Sequence, residues 1–194
     1  MFFALPASEG FLLAGGAALI AQHLTERPTQ DLDFFASQQC GDVAAARDEL
    51  EAAVRAAGWS SHRLRDSPDF CRLMVSADEE LLVDIALDSP PHQPPTISVA
   101  GPTFNLEELA GRKVVALFDR AEARDFADVY ALSKRYPKEL LLTLAADFDR
   151  GFDKAIFSQM IGSLDRFPDD AIPVATDDVA TVRAFFADWA AELR

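Results

Sequence analysis

Residues 29–35 read TQDLDFF and place Asp31 and Asp33 one residue apart in an otherwise apolar run. Aromatic and apolar residues in this pattern favour a β-strand. On a strand, residues i and i+2 point to the same side, so the two carboxylates converge on one volume. Leu32 and Phe34 then point to the opposite side, into the core. The stretch therefore predicts a strand that displays two acids on one face.

Two carboxylates held this close favour a bound cation, because their mutual repulsion would otherwise raise the pKa of one of them. A hard divalent ion such as Mg²⁺ prefers carboxylate oxygens together with the phosphate oxygens of a substrate. Asp31 and Asp33 are therefore predicted to ligate Mg²⁺ beside a phosphate-binding site.

An apolar strand over 10–14, the Gly15-Gly16 pair and a helix over 17–24 are predicted before the acids. A helix N-terminus offers free amide donors and the positive end of a dipole, and glycines let a phosphate approach the backbone. Gly15 and Gly16 are therefore predicted to bind phosphate. Pro28 marks a turn before the acid-bearing strand.

The rest of the chain divides into a mixed half and a helical half. Helical periodicity predicts a helix over 43–57 that ends at Gly58. Short polar links separate the other predicted strands, at 59–64, 70–76 and 81–87. A proline-rich connector over 89–95 follows, and helices are predicted over 106–119, 123–135, 137–148 and on toward 164, and 177–193, the last capped by Thr176 or Asp177.

This order predicts an α+β fold, with an N-terminal mixed β-sheet flanked by helices and a C-terminal helical subdomain. We place the boundary near residue 100, which gives domains of 1–100 and 101–194. Asp84 interrupts an otherwise apolar strand and needs a partner there. That partner is either a group such as a buried arginine or a metal shared with Asp31 and Asp33, and the nearby acids favour the metal.

The chain has 194 residues and a formal net charge of −14, which argues against a broad nonspecific nucleic-acid surface but not against a local basic patch. It has no transmembrane stretch and no secretion-signal pattern at its start, so a cytoplasmic protein without a membrane partner is expected. Cys40 and Cys71 lack metal-site or redox spacing and are expected to be reduced thiols.

Basic and acidic residues recur through residues 111–130 of the helical half. Lys113 and Arg120 lie two turns apart on one helix and share a face, while Asp125 and Asp128 are neighbours at i and i+3. Taken alone, the segment indicates surface helices laced by salt bridges. Together with the upstream acids, it indicates side chains that hold a phosphate chain.

These motifs, in this order, resemble the nucleotidyltransferases of the AbiEii/AbiGii toxin type, in the DNA polymerase β-like superfamily. The matching segments are LLAGGAAL at 12–19, RPTQDLDFF at 27–35, KVVALFDR at 113–120 and RDFAD at 124–128. The resemblance covers roughly residues 10–135. It implies a polymerase β-like core whose mixed sheet carries the acids, and a helical part that closes the nucleotide cleft.

The resemblance also implies transfer of an NMP group from an NTP to a hydroxyl acceptor, with Mg²⁺ as cofactor. The catalytic residues that it implies are Asp31, Asp33, Asp84, Lys113 and Asp125, of which the first three are the metal ligands. The residues that it places at the nucleotide are Gly15, Gly16, Arg27, Thr29, Lys113 and Arg120. Lys113 and Arg120 neutralise charge on the phosphates, and Asp125 or Asp128 positions the base, the acceptor or Lys113.

The acceptor stays open among tRNA, another protein and a small molecule such as an aminoglycoside, and an antitoxin protein is a further expected partner. Gly-Gly replaces the superfamily's usual Gly-Ser, which removes a hydroxyl that commonly touches the phosphates. The alternatives are a noncatalytic nucleotide-binding or partner-binding module with the same fold, and a metal-dependent glycosyltransferase that uses Asp-x-Asp. The intact Asp31, Asp33 and Lys113 favour the nucleotidyltransferase over the module.

Overall fold

The computed structural model describes residues 1–29 and 31–194. These residues form an α+β fold with a seven-stranded mixed sheet and seven α-helices, which confirms the predicted fold class. The chain divides into two units. The first comprises Met1–His23 and Pro28–Asn105, and the second comprises Leu24–Arg27 and Leu106–Arg194.

The first unit contains the sheet and two α-helices. Its elements are β1 (Leu12–Ala14), α1 (Gly15–Ala21), β2 (Asp31–Ser37), α2 (Val43–Ala56), β3 (Ser60–Ser67), β4 (Phe70–Ser76), β5 (Glu80–Asp88), β6 (Thr96–Ser98) and β7 (Gly101–Thr103). The strand order is β3-β4-β5-β2-β1-β7-β6. Two pairings, β2 with β5 and β1 with β7, are parallel, and the other four are antiparallel.

Local sequence signals set most of these boundaries. The Asp42 carboxylate accepts a hydrogen bond of 2.9 Å from the Ala45 amide and so caps the start of α2. Gly58 follows the end of α2 with φ of +80°, a conformation in which glycine carries no steric cost. Several predictions need correction: β1 begins at Leu12 rather than at residue 10, and α1 runs over Gly15–Ala21 rather than over 17–24. β3 continues to Ser67 because it pairs with all of β4, and the β6–β7 hairpin was not predicted.

One face of the sheet packs against α1 and α2. Leu13, Phe34 and Val83 are buried on this face, and the Phe2 ring stacks on Phe34 with 3.9 Å between centroids. An apolar cavity of about 690 Å³ lies there, lined in part by Leu32 together with residues of both helices. Because side chains alternate along a strand, the acids of β2 lie on the other face.

The second unit is helical. Its α-helices are α3 (Leu106–Asp119), α4 (Ala123–Ser133), α5 (Lys138–Phe148), α6 (Lys154–Ile161) and α7 (Val179–Glu192). Its core is rich in aromatic rings: Phe186 lies edge-on to Phe126, and Trp189 edge-on to Phe157, with centroid separations of 5.1 and 5.3 Å. No helix among the described residues is long and apolar enough to span a bilayer.

Two helix boundaries in this unit differ from the prediction. The helix that begins after Pro137 ends at Phe148, and α6 begins separately because the Asp153 carboxylate accepts from the Ile156 amide at 2.9 Å. A 3₁₀ turn over Thr176–Asp178 precedes α7. Asp178 therefore occupies the N-cap position, rather than Thr176 or Asp177, and it makes no capping hydrogen bond through its side chain.

Candidate functional site

A row of charged residues crosses the first unit's sheet on the face opposite α1 and α2. Asp33 on β2 pairs in register with Asp84 on β5, Asp84 with Arg72 on β4, and Arg72 with Arg65 on β3. Residues paired in register on adjacent strands point to the same face, and neighbouring strands lie about 4.8 Å apart. We call these four residues the charged row. Two acids lie at one end and two arginines at the other.

Asp33 lies directly beside the first glycine of the Gly15-Gly16 pair. Gly15 has φ of +62°, and a Cβ atom there would fall 1.8 Å from Asp33 Oδ2. A side chain at this position would therefore displace the carboxylate. Gly15 thus serves both the left-handed turn into α1 and the close approach of backbone to acid. Gly16 is buried in the first turn of that helix.

Asp31 lies two residues before Asp33 on the same face of β2. The Thr29 hydroxyl donates a hydrogen bond to the Asp31 carboxylate, so Thr29 orients one of the two predicted metal ligands. Among the predicted site residues, the first unit thus brings Gly15, Asp31 and Asp33 together with Asp84.

Arg72 is the partner of Asp84. Its Nε and Nη2 atoms donate to the two Asp84 carboxylate oxygens at 2.7 and 2.6 Å. Asp84 is buried, whereas the Arg72 side chain is 46% exposed. The hydrogen bonds to Asp84 raise the pKa of Arg72, and the negative charges of Asp33 and Asp31 add to that effect. The arginine that the sequence reading offered as one possible partner of Asp84 is therefore present in the structure.

The acids on this face of the sheet provide part of a site for a divalent cation. Among residues 1–29 and 31–194, no group of three or more His, Cys, Asp or Glu side chains is arranged to hold a metal ion. Asp31 and Asp33 still supply hard oxygen donors from one strand, as Mg²⁺ requires when phosphates and water complete its coordination. Asp84 already has both oxygens engaged by Arg72, so a metal at Asp84 has to share that carboxylate or displace the arginine.

A buried ion cluster lies in the second unit. Asp128, fully buried on α4, accepts from Arg27 Nε and Nη2 at 2.6 and 2.8 Å. Lys113 Nζ on α3 contacts Asp128 Oδ2 at 2.7 Å. The side chains of both cations are less than one-tenth exposed. We use the name buried ion cluster for Arg27, Lys113 and Asp128. It joins the segment 24–27, α3 and α4.

A second ion pair lies one helical turn earlier on α4. Arg120 Nε and Nη2 donate to the two oxygens of Asp125 at 2.8 Å each, and Asp125 Oδ2 also accepts from the Glu122 amide at 3.2 Å. Asp125 is fully buried and the Arg120 side chain is 44% exposed. Both acids of the RDFAD segment therefore hold basic groups through buried carboxylates, while Arg124 pairs with the half-exposed Glu122.

The sequence reading missed Arg72 and Arg65 as residues of the charged face. Alternation along β4 was a usable signal for Arg72, because Cys71 and Leu73 on either side are buried in the core.

Both cysteines are free thiols; burial raises the pKa of Cys71 to about 11, while Cys40 is exposed.

A mixed sheet with paired carboxylates beside a Gly-Gly turn, followed by helices rich in ion pairs, is the architecture of a nucleotidyltransferase. The family described as nucleotidyl transferase AbiEii toxin, type IV toxin–antitoxin system, matches residues 2–193. The chain belongs to this family and is a nucleotidyltransferase, as the resemblance implied.

Solved structures share the fold at low sequence identity. JHP933 from Helicobacter pylori is 21% identical with a TM-score of 0.61, and the match covers 96% of this chain and 86% of that one. MenT4, a nucleotidyltransferase toxin from Mycobacterium tuberculosis H37Rv, is 19% identical with a TM-score of 0.61, over 95% of this chain and 76% of that one. No curated protein matches the sequence.

Proposed function

We propose that this protein is a Mg²⁺-dependent nucleotidyltransferase that moves an NMP group from an NTP to a hydroxyl of tRNA, as the toxin of a toxin–antitoxin pair. The observation that carries the proposal is the pair Asp31 and Asp33 on one face of β2, with Gly15 held against Asp33. The family description supports the toxin role and an antitoxin as the functional partner.

In this proposal the carboxylates of Asp31, Asp33 and Asp84 would hold Mg²⁺, which when bound supplies charge neutralisation for the triphosphate and the leaving pyrophosphate. The Gly15-Gly16 turn lies directly against Asp33, so phosphate oxygens bound at the turn would lie beside the acids. Thr29 keeps the Asp31 carboxylate oriented toward the site.

The reaction needs no reactant besides the NTP and the acceptor hydroxyl. The acceptor hydroxyl oxygen forms a bond to the α-phosphorus of the NTP, and the bond from that phosphorus to the bridging oxygen breaks. Pyrophosphate leaves, and the hydroxyl proton is released to water. The attacking and leaving oxygens lie roughly in line in such a displacement.

The family resemblance assigns the positive charge at the phosphates to Lys113 and Arg120, both in the second unit. Lys113 has three N–H donors, and its Nζ lies 2.7 Å from the acceptor Asp128 Oδ2. Asp128, held on its other side by Arg27, therefore positions the Lys113 ammonium for a phosphate oxygen. Asp125 positions the half-exposed guanidinium of Arg120 in the same way. The nucleotide-binding roles of Lys113, Arg120 and Arg27 stay predictions.

The direct test compares Asp33→Asn with Asp78→Asn, which removes the same charge from the exposed link between β4 and β5. With radiolabelled NTP, Mg²⁺ and total RNA, we expect Asp33→Asn to lower the transfer rate by about 10³-fold, a cost of roughly 4 kcal/mol in the barrier. Its free energy of unfolding should match that of Asp78→Asn to within about 0.5 kcal/mol. Full activity in Asp33→Asn would remove this carboxylate from the reaction.

A further inference from the structure

The arginine end of the charged row carries an aromatic ring, Phe70, with two guanidinium groups near it. Phe70 precedes Arg72 by two residues on β4 and shares its face. The Cζ atoms of Arg65 and Arg72 lie 5.1 and 5.8 Å from the centroid of the Phe70 ring. We call Arg65, Phe70 and Arg72 the arginine flank.

The flank has hydrogen-bond donors available for a ligand. Arg72 uses Nε and Nη2 for Asp84, and its Nη1 group is a further donor on a side chain that is 46% exposed. Arg65 is exposed on β3. Guanidinium groups bind phosphate oxygens through paired N–H donors, and a guanidinium plane held over an aromatic ring is itself a surface on which a base can stack. The flank therefore combines the two groups that recognise a nucleic-acid strand.

The position of the flank distinguishes it from the nucleotide end of the site. The row runs from the Gly15 turn, through Asp33 and Asp84, to the flank, so the acids lie between the glycines and the arginines. In an in-line displacement the attacking and leaving groups lie on opposite sides of the reacting phosphorus. With the triphosphate at the glycine end, the acceptor hydroxyl approaches from the arginine end.

We propose that Arg65, Phe70 and Arg72 form the acceptor subsite and that they bind a single-stranded nucleic-acid acceptor through a phosphate next to its reacting hydroxyl. This inference rests on the proposed function, because it takes the glycine end as the triphosphate site. It also explains how a chain with a net charge of −14 holds a polyanion: the positive charge is local to one end of the row. Two guanidinium groups repel a polycationic acceptor such as an aminoglycoside.

The test uses Arg65→Gln as the main variant, because Arg72→Gln would also leave the buried Asp84 without its ion-pair partner. Arg55→Gln is the matched control: it removes the same charge from an exposed residue of α2, which packs on the opposite face of the sheet. The probes are a short fluorescent single-stranded RNA and an NTP with Mg²⁺, and the readout is equilibrium binding measured by anisotropy and calorimetry across a series of salt concentrations.

We expect Arg65→Gln to weaken RNA binding about tenfold and to reduce the slope of log affinity against log salt by about 0.7, the loss of one phosphate contact on a single strand. NTP affinity should stay at the wild-type value, and Arg55→Gln should change neither quantity. RNA affinity equal in the two variants, or no RNA binding by the wild-type protein, would overturn the subsite. Weakened NTP binding in Arg65→Gln would assign the flank to the triphosphate and overturn the acceptor role.

The outcomes separate this inference from the proposed function. If the wild-type protein binds no NTP and transfers no label, the proposed function fails whatever Arg65→Gln does. If Asp33 is needed for transfer and Arg65→Gln behaves as Arg55→Gln does, the proposed function stands and only the acceptor subsite fails.

Discussion

The charged row of the first unit and the buried ion cluster of the second are built from the same residue types but in different environments. The row places a half-exposed Arg72 against a buried Asp84 on the sheet face opposite α1 and α2. The cluster encloses Arg27, Lys113 and Asp128 so that all three side chains are less than one-tenth exposed. Ion pairs that keep contact with water contribute little to stability, whereas charges removed from water depend on each other for it.

The largest effect on stability is therefore expected from Asp128→Ala, which breaks the buried ion cluster. Removing one partner of a buried ion pair leaves uncompensated charge and typically costs about 3–5 kcal/mol. Urea unfolding followed by the fluorescence of Trp189, which is buried in the same unit, measures this loss in a Trp59→Phe background, because Trp59 is the other tryptophan. Asp33→Asn, in the charged row, is the reference and should change the free energy of unfolding by less than about 1 kcal/mol.

Equal stability in these two variants would show that burial does not distinguish the two groups of charges. A triple variant tests the cluster as a whole. Arg27→Met, Lys113→Met and Asp128→Leu together replace it by apolar side chains of similar size. Such replacements of buried ion pairs are often neutral or stabilising. The triple variant should recover most of the stability lost in Asp128→Ala while remaining inactive, if Lys113 binds phosphate.

Gly15→Ala has the second-largest expected effect on stability, and it acts at the acid end of the charged row. Adopting φ of +62° costs a non-glycine residue about 1–2 kcal/mol, and the added Cβ would also meet Asp33 Oδ2 at 1.8 Å. Gly58→Ala is the matched control, because Gly58 has φ of +80° and a Cβ there would contact nothing within 4 Å. Both variants should lose stability in thermal unfolding, and only Gly15→Ala should lose nucleotidyl transfer. Equal activity in the two would show that the position of Asp33 is not needed.

Elements with strong local signals could be predicted from the sequence alone. The observed bounds of β4, Phe70–Ser76, and of α3, Leu106–Asp119, are those that alternation and helical periodicity predict. The Gly15 turn and the acid strand were also recognised, because each depends on neighbouring residues. By contrast, β6 and β7 have three residues each, which is too short for a periodic pattern to appear.

The partners of the charged residues needed information that local sequence does not hold. The sequence predicts a four-residue link over 77–80 between β4 and β5. In the structure Ser76 pairs with Glu80, so the link has three residues. A shift of one residue in a hairpin moves each side chain to a new partner, and only the observed register sets Arg72 opposite Asp84. The Arg27–Asp128 pair spans 101 positions and belongs to the tertiary fold.

The smallest effect is expected from Glu51→Gln, which tests whether an exposed ion pair contributes as little to stability as we expect of the charged row. Glu51 on α2 accepts from Arg63 Nε and Nη2 at 2.8 Å each, and these hydrogen bonds are the largest cause that lowers the pKa of Glu51. A carboxyl with a lowered folded-state pKa stabilises the fold above its unfolded-state pKa, and this contribution is lost as the pH falls through the folded-state pKa. The difference in unfolding free energy between wild type and Glu51→Gln should therefore stay below about 1 kcal/mol at neutral pH and vanish in acid. A difference that grows in acid would show that Glu51 stabilises the unit through its neutral form, and the distinction between open and buried charges would then fail at this site.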